Sequence, residues 1–145
     1  MARLDPYGGY NFSVELDGIT RAGFRECSGL ENSQNAGEYR EGTDRNLSVR
    51  KIPGLVTHGD ITLSRGVTSD TKLWEWREKA MKGGVERHDI SITLLDDLGQ
   101  PKITWNLYEC WPTSWTGPSF NATADELAIE QLVLACERVE VDEWS

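Results

Sequence analysis

No stretch of this 145-residue sequence is apolar enough to cross a bilayer. The longest apolar-leaning run, Leu127 to Ala135, is broken by Glu130 and Gln131, whereas a spanning helix needs about 20 apolar residues. The opening Met1-Ala2-Arg3-Leu4-Asp5-Pro6 lacks the apolar segment of a secretory signal, so synthesis and folding in the cytosol are expected. Cysteine is scarce. Cys27, Cys110 and Cys136 are odd in number and contain no C-x-x-C pair, which favours reduced thiols packed in a core over a disulfide framework or a zinc site. Bases are also short: fifteen stand against twenty-four acids, for a net charge of −9. Such a balance repels phosphate backbones and argues against nucleic-acid recognition, while keeping a free subunit soluble.

Catalytic groupings are missing too. His58 and His88 are the only histidines, and although Asp60 and Asp89 lie close to them, neither has metal-ligand spacing such as H-x-x-x-H. Cys110 lies in a strand pattern beside Trp111, without the local signature of a nucleophile. Asp96 and Asp97 form a pair of carboxylates, but they fall where a turn is expected, and aspartate is favoured there for bonding its own backbone. No phosphate-cradling glycine loop, dinucleotide fingerprint or basic run occurs. The expectation is a chain with no catalytic residue, metal or cofactor, hence not an enzyme.

What is present is strand periodicity. Phe12, Val14 and Leu16 alternate with Ser13 and Glu15, and the Asp17-Gly18 that follows favours a two-residue hairpin turn, so Ile19 to Cys27 is expected to return beside the first strand. Ile61 and Leu63 alternate with polar neighbours after the Pro53-Gly54 punctuation. Ile90, Ile92 and Leu94, then Ile103, Trp105 and Leu107, predict a second hairpin that turns at Asp96-Asp97-Leu98-Gly99. Trp111-Pro112 and Gly117-Pro118 should end it, since proline cannot donate to a ladder.

One helix is predicted over about Thr71 to Lys82, capped by Asp70 and ended by a left-handed Gly83. Leu73, Trp76 and Ala80 share a face, and Glu75 is placed to pair with Lys79. Trp74 and Trp76 read as packing residues rather than a sugar platform. The polar run from Leu30 to Arg45 has too little apolar content for a core element, except that part of it suits a solvated edge strand. The last segment, Glu126 to Val141, fits a strand or a helix equally by pattern.

Several phrases, in this order, resemble the tail tube (inner tube) protein family of contractile injection systems and myophage tails: Asp5-Pro6, Phe24-Arg25-Glu26-Cys27-Ser28-Gly29-Leu30, Ile52-Pro53-Gly54-Leu55, Asp60-Ile61-Thr62-Leu63-Ser64-Arg65-Gly66, Leu73-Trp74-Glu75-Trp76-Arg77, Trp111-Pro112 and Ala124-Asp125-Glu126-Leu127-Ala128-Ile129-Glu130. The resemblance covers nearly the whole chain and implies a single mainly β domain, with two packed antiparallel sheets, a flanking helix and a final strand. It further implies hexameric rings stacked into a hollow tube inside a contractile sheath, the lumen lined by a barrel that closes across subunits.

The implied partners are further copies of the chain, the sheath protein, baseplate, spike and tube-terminating proteins, and a cargo effector in the lumen, in a particle released from the cell or anchored in it. A contact with the next ring is expected over about Gly42 to Thr57, at Gly42, Thr43, Asp44, Arg45, Asn46, Leu47, Arg50, Lys51, Pro53 and Gly54, with a second at Asp5, Pro6 and Tyr7. The acidic balance faces either the lumen or a basic sheath. A myophage tube conducting DNA, the ring protein of a type VI system, and a monomeric carbohydrate-binding β-sandwich are the competing readings.

Overall fold

The computed structural model describes residues 8–9, 11–16, 20–22, 24–43, 49–123 and 127–143. Among them, ten strands and one helix follow in the order β1 Phe12–Leu16, β2 Thr20–Ala22, β3 Glu26–Ser28, β4 Asn32–Tyr39, β5 Arg50–His58, β6 Ile61–Gly66, α1 Lys72–Met81, β7 His88–Leu95, β8 Pro101–Thr116, β9 Ile129–Ala135 and β10 Arg138–Glu143. The first sheet runs β2-β1-β7-β8, with β10 on the far side of β8; the second runs β8-β9-β6-β3. All these pairings are antiparallel. Among the described residues, strands β4 and β5 pair only with each other.

The two sheets share β8, which leaves the first at Cys110 and enters the second at Trp111. Its corner is a β-bulge. Glu109 has a left-handed φ of 56°, and the pairing slips from His88↔Cys110 to Ile90↔Leu107, the local kink by which one strand serves two sheets. Strands β9 and β10 follow the same corner, breaking at Cys136 and Glu137, where the Glu137 amide donates to the Tyr108 carbonyl at 3.1 Å. The final segment is therefore strand, in two pieces on one neighbour.

Alternation decides what is buried. Val14 and Leu16 of β1, Ile90 and Ile92 of β7 and Leu107 of β8 face Ile61 and Leu63 of β6 and Leu132 and Leu134 of β9 across the core, and Cys110 fills the corner. Each large aliphatic side chain buried here contributes about 1.5–3 kcal/mol of transfer free energy. Helix α1 adds Leu73 and Trp76, and Trp76 Nε1 donates to the Glu86 carbonyl at 2.8 Å. As predicted, Asp70 receives the Lys72 amide at 3.0 Å. Gly83 has φ +90°, and the Gly83→Ala80 and Gly84→Lys79 amide bonds complete a Schellman end that only a residue tolerant of this φ closes without strain.

Several expectations change. Ile19 to Cys27 is not one returning strand: β2 pairs β1 in the first sheet, while β3 pairs β6 in the second. The expected Asp17-Gly18 turn lies outside the described residues. β8 does not stop at Trp111-Pro112 but continues to Thr116, because the register slips between Pro112 and Ser114 and a bulge does not require proline's missing donor. Pro53-Gly54 lies inside β5 rather than punctuating the chain. Lys79 pairs with Glu86 at 3.2 Å and Glu75 accepts from the Thr71 hydroxyl at 3.2 Å, in place of a Glu75–Lys79 pair. Trp74 is 38% exposed, with its ring edge-on to Trp115 at 4.8 Å.

An ionic network crosses the core. Arg65 on β6 stands opposite Glu130 on β9 and donates to its carboxylate at 2.6 Å; both side chains are buried. The same guanidinium donates to the Asp70 carbonyl at 2.9 Å and carboxylate at 3.3 Å, tying the second sheet to the start of α1. Removing one member strands the other. Glu130→Ala is expected to cost about 3–5 kcal/mol, seen as a lower urea midpoint at unchanged slope, whereas Glu140→Ala on the exposed face of β10 should stay within about 0.5 kcal/mol. Asp70 is held below the usual carboxylate range by the Lys72 amide and by Arg65. Its folded pKa is the lower one, so its contribution is present above the unfolded value near ~3.9 and is lost as pH falls through the folded value. The stability gap between wild type and Asp70→Ala should therefore shrink on acidification below about pH 4; a gap unchanged down to about pH 2 would contradict this role.

Candidate assembly surface

The chemistry-bearing residues do not converge. His88 Nε2 lies 3.4 Å from Glu86 and edge-on to Trp76, while its neighbour Asp89 accepts the Glu109 amide at 3.3 Å; His58 stands apart at the end of β5. Among the described residues no group of three or more His, Cys, Asp and Glu is placed to hold a metal. The thiols are free. Hydrogen bonding to Cys136 and burial push the Cys110 thiol up, and burial pushes Cys27 up to about 11; both are thiols rather than nucleophilic thiolates at neutral pH. Asp96 is the turn residue expected of it: its Oδ1 accepts the Leu98 and Gln100 amides at 2.9 Å each, and the Gln100 amide first among them lowers its pKa.

The polar excursion is what stands out. Instead of a loop over 42–57, β4 and β5 form a two-stranded arm with every residue of β4 exposed and all of β5 exposed except its last. Nine residues of strand make it about 30 Å long. It holds its shape through cross-strand pairs: Ser33 and Thr57 hydroxyls 2.9 Å apart, Lys51 on Glu38 at 3.3 Å, and Arg50 over the Tyr39 ring at 6.0 Å. No apolar periodicity announced these strands, because neither face is buried and nothing in the chain selects one.

Pro53 and Gly54 sit at a bulge. The register moves from Gln34↔Val56 to Ala36↔Pro53, and a Cβ on Gly54 would meet the Asn35 carbonyl oxygen at 2.9 Å. The Gln34 amide donates to the Gly54 carbonyl at 2.9 Å. Of the expected contact residues, Arg50, Lys51, Pro53 and Gly54 thus lie on β5 and Gly42 and Thr43 in the turn after β4. Asp44, Arg45, Asn46 and Leu47, like Asp5, Pro6, Tyr7 and Tyr10, lie outside the described residues, as do Ala124, Asp125 and Glu126. Sequence reasoning did not single out Leu55 and Val56, exposed at 80% and 54%, which with Ile52 at 47% give a thin hairpin more apolar surface than solvent rewards. An isolated two-stranded hairpin is marginal in water.

The first sheet offers a second surface. Its uncovered face carries Ser13, Ser91, Thr93 and Asn106 with Glu15, Glu140 and Asp142, polar by the same alternation that buries Val14 and Ile92. Asn106 donates to Asp142 at 2.8 Å and Tyr108 to Glu140 at 3.2 Å, with Arg138 stacked over Tyr108 at 4.3 Å. Among the described residues, β2 and β10 each have one strand neighbour, so both edges of this sheet are open.

Residues 8–140 match the family described as T4-like virus tail tube protein gp19. The fold is similar to a chain in the cryo-EM structure of the anti-feeding prophage cap, the AFP tube-terminating cap, at 35% identity and a TM-score of 0.89 over 99% of this chain and 95% of that one. A chain in the extended sheath–tube complex of PVC, an extracellular contractile injection system, matches at 35% identity and a TM-score of 0.86 over 96% and 93%. Hcp1 from Flavobacterium johnsoniae matches in fold at 16% identity and a TM-score of 0.59, covering 93% and 97%. A search of curated proteins finds no match.

Because a Cβ at position 54 has no room, Gly54→Ala is expected to loosen the arm and nothing else: amide protection across β4 and β5 falls while global stability stays within about 0.5 kcal/mol of wild type. Equal loss of protection in β7 and β8 would show that the arm is not separable from the core.

Proposed function

This chain belongs to the T4-like tail tube protein family, and from that premise we propose how its geometry serves a tube. It is a structural subunit of the tube of a phage tail-like contractile injection system, and the observation that carries this is the 35% identity over nearly its full length to chains from two such particles. Hcp1 from Flavobacterium johnsoniae is a more distant likeness, at 16%, and a type six secretion system protein is more distant again, at 10%.

The open β2 and β10 edges pair between neighbouring copies, so that six first sheets close into one ring barrel. A head-to-tail contact of this kind closes by rotation and removes the exposed edges that otherwise invite aggregation. The polar face of the first sheet, with Glu15, Glu140 and Asp142, then lines the lumen, and an acidic cargo passes along it under weak repulsion. The arm, from Gly42 and Thr43 through Arg50, Lys51, Pro53 and Gly54, contacts the next ring and stacks rings into a tube, within a sheath and upon a baseplate. The chain's part is mechanical: contraction of the sheath drives a stiff tube through a target envelope, and no bond is made or broken by this subunit.

Among the described residues, none of the core comes from 32–58, so replacing 34–56 with a short turn should leave a folded subunit. Negative-stain microscopy of the wild-type chain, alone and mixed with its sheath, is expected to show sixfold rings or hollow tubes. The arm-shortened chain should give rings or monomers but no tubes. Tubes of normal length from that variant would remove the arm from the stacking contact, and a wild-type chain that is monomeric under every condition would overturn the tube reading.

A further inference from the structure

The second sheet does not cover the whole inner face of the first. Beyond its edge lies an apolar cleft of two adjoining cavities, about 250 and 160 Å³, which share Leu30 and Trp105 as lining. Val139 and Val141 of β10 form one wall; they face inward by register with Leu107 and Trp105, yet Val141 is 56% exposed. Glu31 lines the cleft as well, and so do Glu26 and Arg25. At the arm's root His58 reaches the same cleft, and its buried Nδ1 has no hydrogen-bond partner among the described residues.

Resting on the tube reading, we propose that this cleft is the receptor for the arm of a second copy of the chain, whose Ile52 and Leu55 seat on Leu30, Trp105, Val139 and Val141. Two observations select that occupant. The first is charge: residues 32–58 hold four bases and three acids, while the remaining residues hold eleven and twenty-one. The arm is thus a long segment that an acidic body of the same protein attracts, and acids at the cleft lie where it would arrive. The second is reach. The arm is rooted beside its own cleft, with Asn32 paired to His58, and Ile52 stands six residues out along a straight ladder, roughly 20 Å away. It therefore serves another chain's cleft, not its own. Arm into cleft is a head-to-tail contact, which propagates along an assembly instead of ending in a dimer, and a polar group of the incoming arm would find the His58 nitrogen unpartnered.

Paired cysteines test the contact. The Ile52→Cys/Val141→Cys chain, both positions exposed, is assembled and then treated with a short bis-maleimide. With Cys27, which lines the same cleft, replaced by serine in every variant, a ladder of cross-linked multimers on a denaturing gel is expected, absent from each single variant. The double variant Ile52→Cys/Leu98→Cys, which places the second thiol on the β7–β8 turn, should give no ladder. Rings or tubes by microscopy without a ladder from the Ile52→Cys/Val141→Cys chain would overturn this contact and leave the tube reading standing, as would an equal ladder with position 98 or capture of the cleft thiol by the sheath subunit instead. A wild-type chain that never assembles would overturn both.

Discussion

Both sheets hang on β8. One uninterrupted strand of sixteen residues gives its first part to β7 and β10 and its last to β9, so the angle between the sheets is decided where it turns, at Glu109 and Cys110. The bulge there forces a non-glycine residue into left-handed backbone, which costs of order 1 kcal/mol. The surroundings over-determine it: Asp89 receives the Glu109 amide, Glu137 donates to the Tyr108 carbonyl, and the Cys110 and Cys136 thiols meet inside the corner. A small hydrophobe with a weak donor suits that place.

The Arg65 network answers a different need. A helix packed on a sheet edge can slide, and apolar contacts alone do not oppose sliding strongly, because they carry little direction. A guanidinium bonded at once to Glu130 across the ladder and to Asp70 before the helix fixes one position of α1 on the second sheet. Such buried pairs contribute little net stability compared with apolar replacements. Here its geometric effect is to hold the outer layer of the subunit in register with the core.

The rest of the molecule is built to be incomplete. Among the described residues, a monomer with two open edges on its first sheet, a projecting two-stranded arm and an apolar cleft leaves Ile52, Leu55 and Val141 exposed to water. On the proposed tube reading, these are the features that assembly would cover. A tube needs contacts around its circumference and along its axis, and one small domain can supply both only if different elements serve each.

Much of this was legible in the chain. The alternation at Phe12–Leu16, Ile61–Leu63 and Ile90–Leu94 identified core strands because one face of each is buried, and burial is what writes a period of two into a sequence. Asp70 and Gly83 bounded the helix because caps are local chemistry, and the Asp96 turn was readable for the same reason. Part of the polar run suited a solvated edge strand, as β4 is, but its pairing with β5, the passage of β8 through Pro112 and the split of Ile19–Cys27 between two sheets were not readable. Each depends on which distant segment supplies the hydrogen bonds or the cover: β5 is a strand because β4 lies beside it, and Pro112 is tolerated because the ladder slips at Thr113. The sequence by itself determined the mainly β character of this protein and its helix, since those follow from composition and near neighbours. Only the tertiary structure decided that the polar excursion is an arm and that an apolar cleft stays open beside its root, because exposure is a property of packing between segments far apart in the chain.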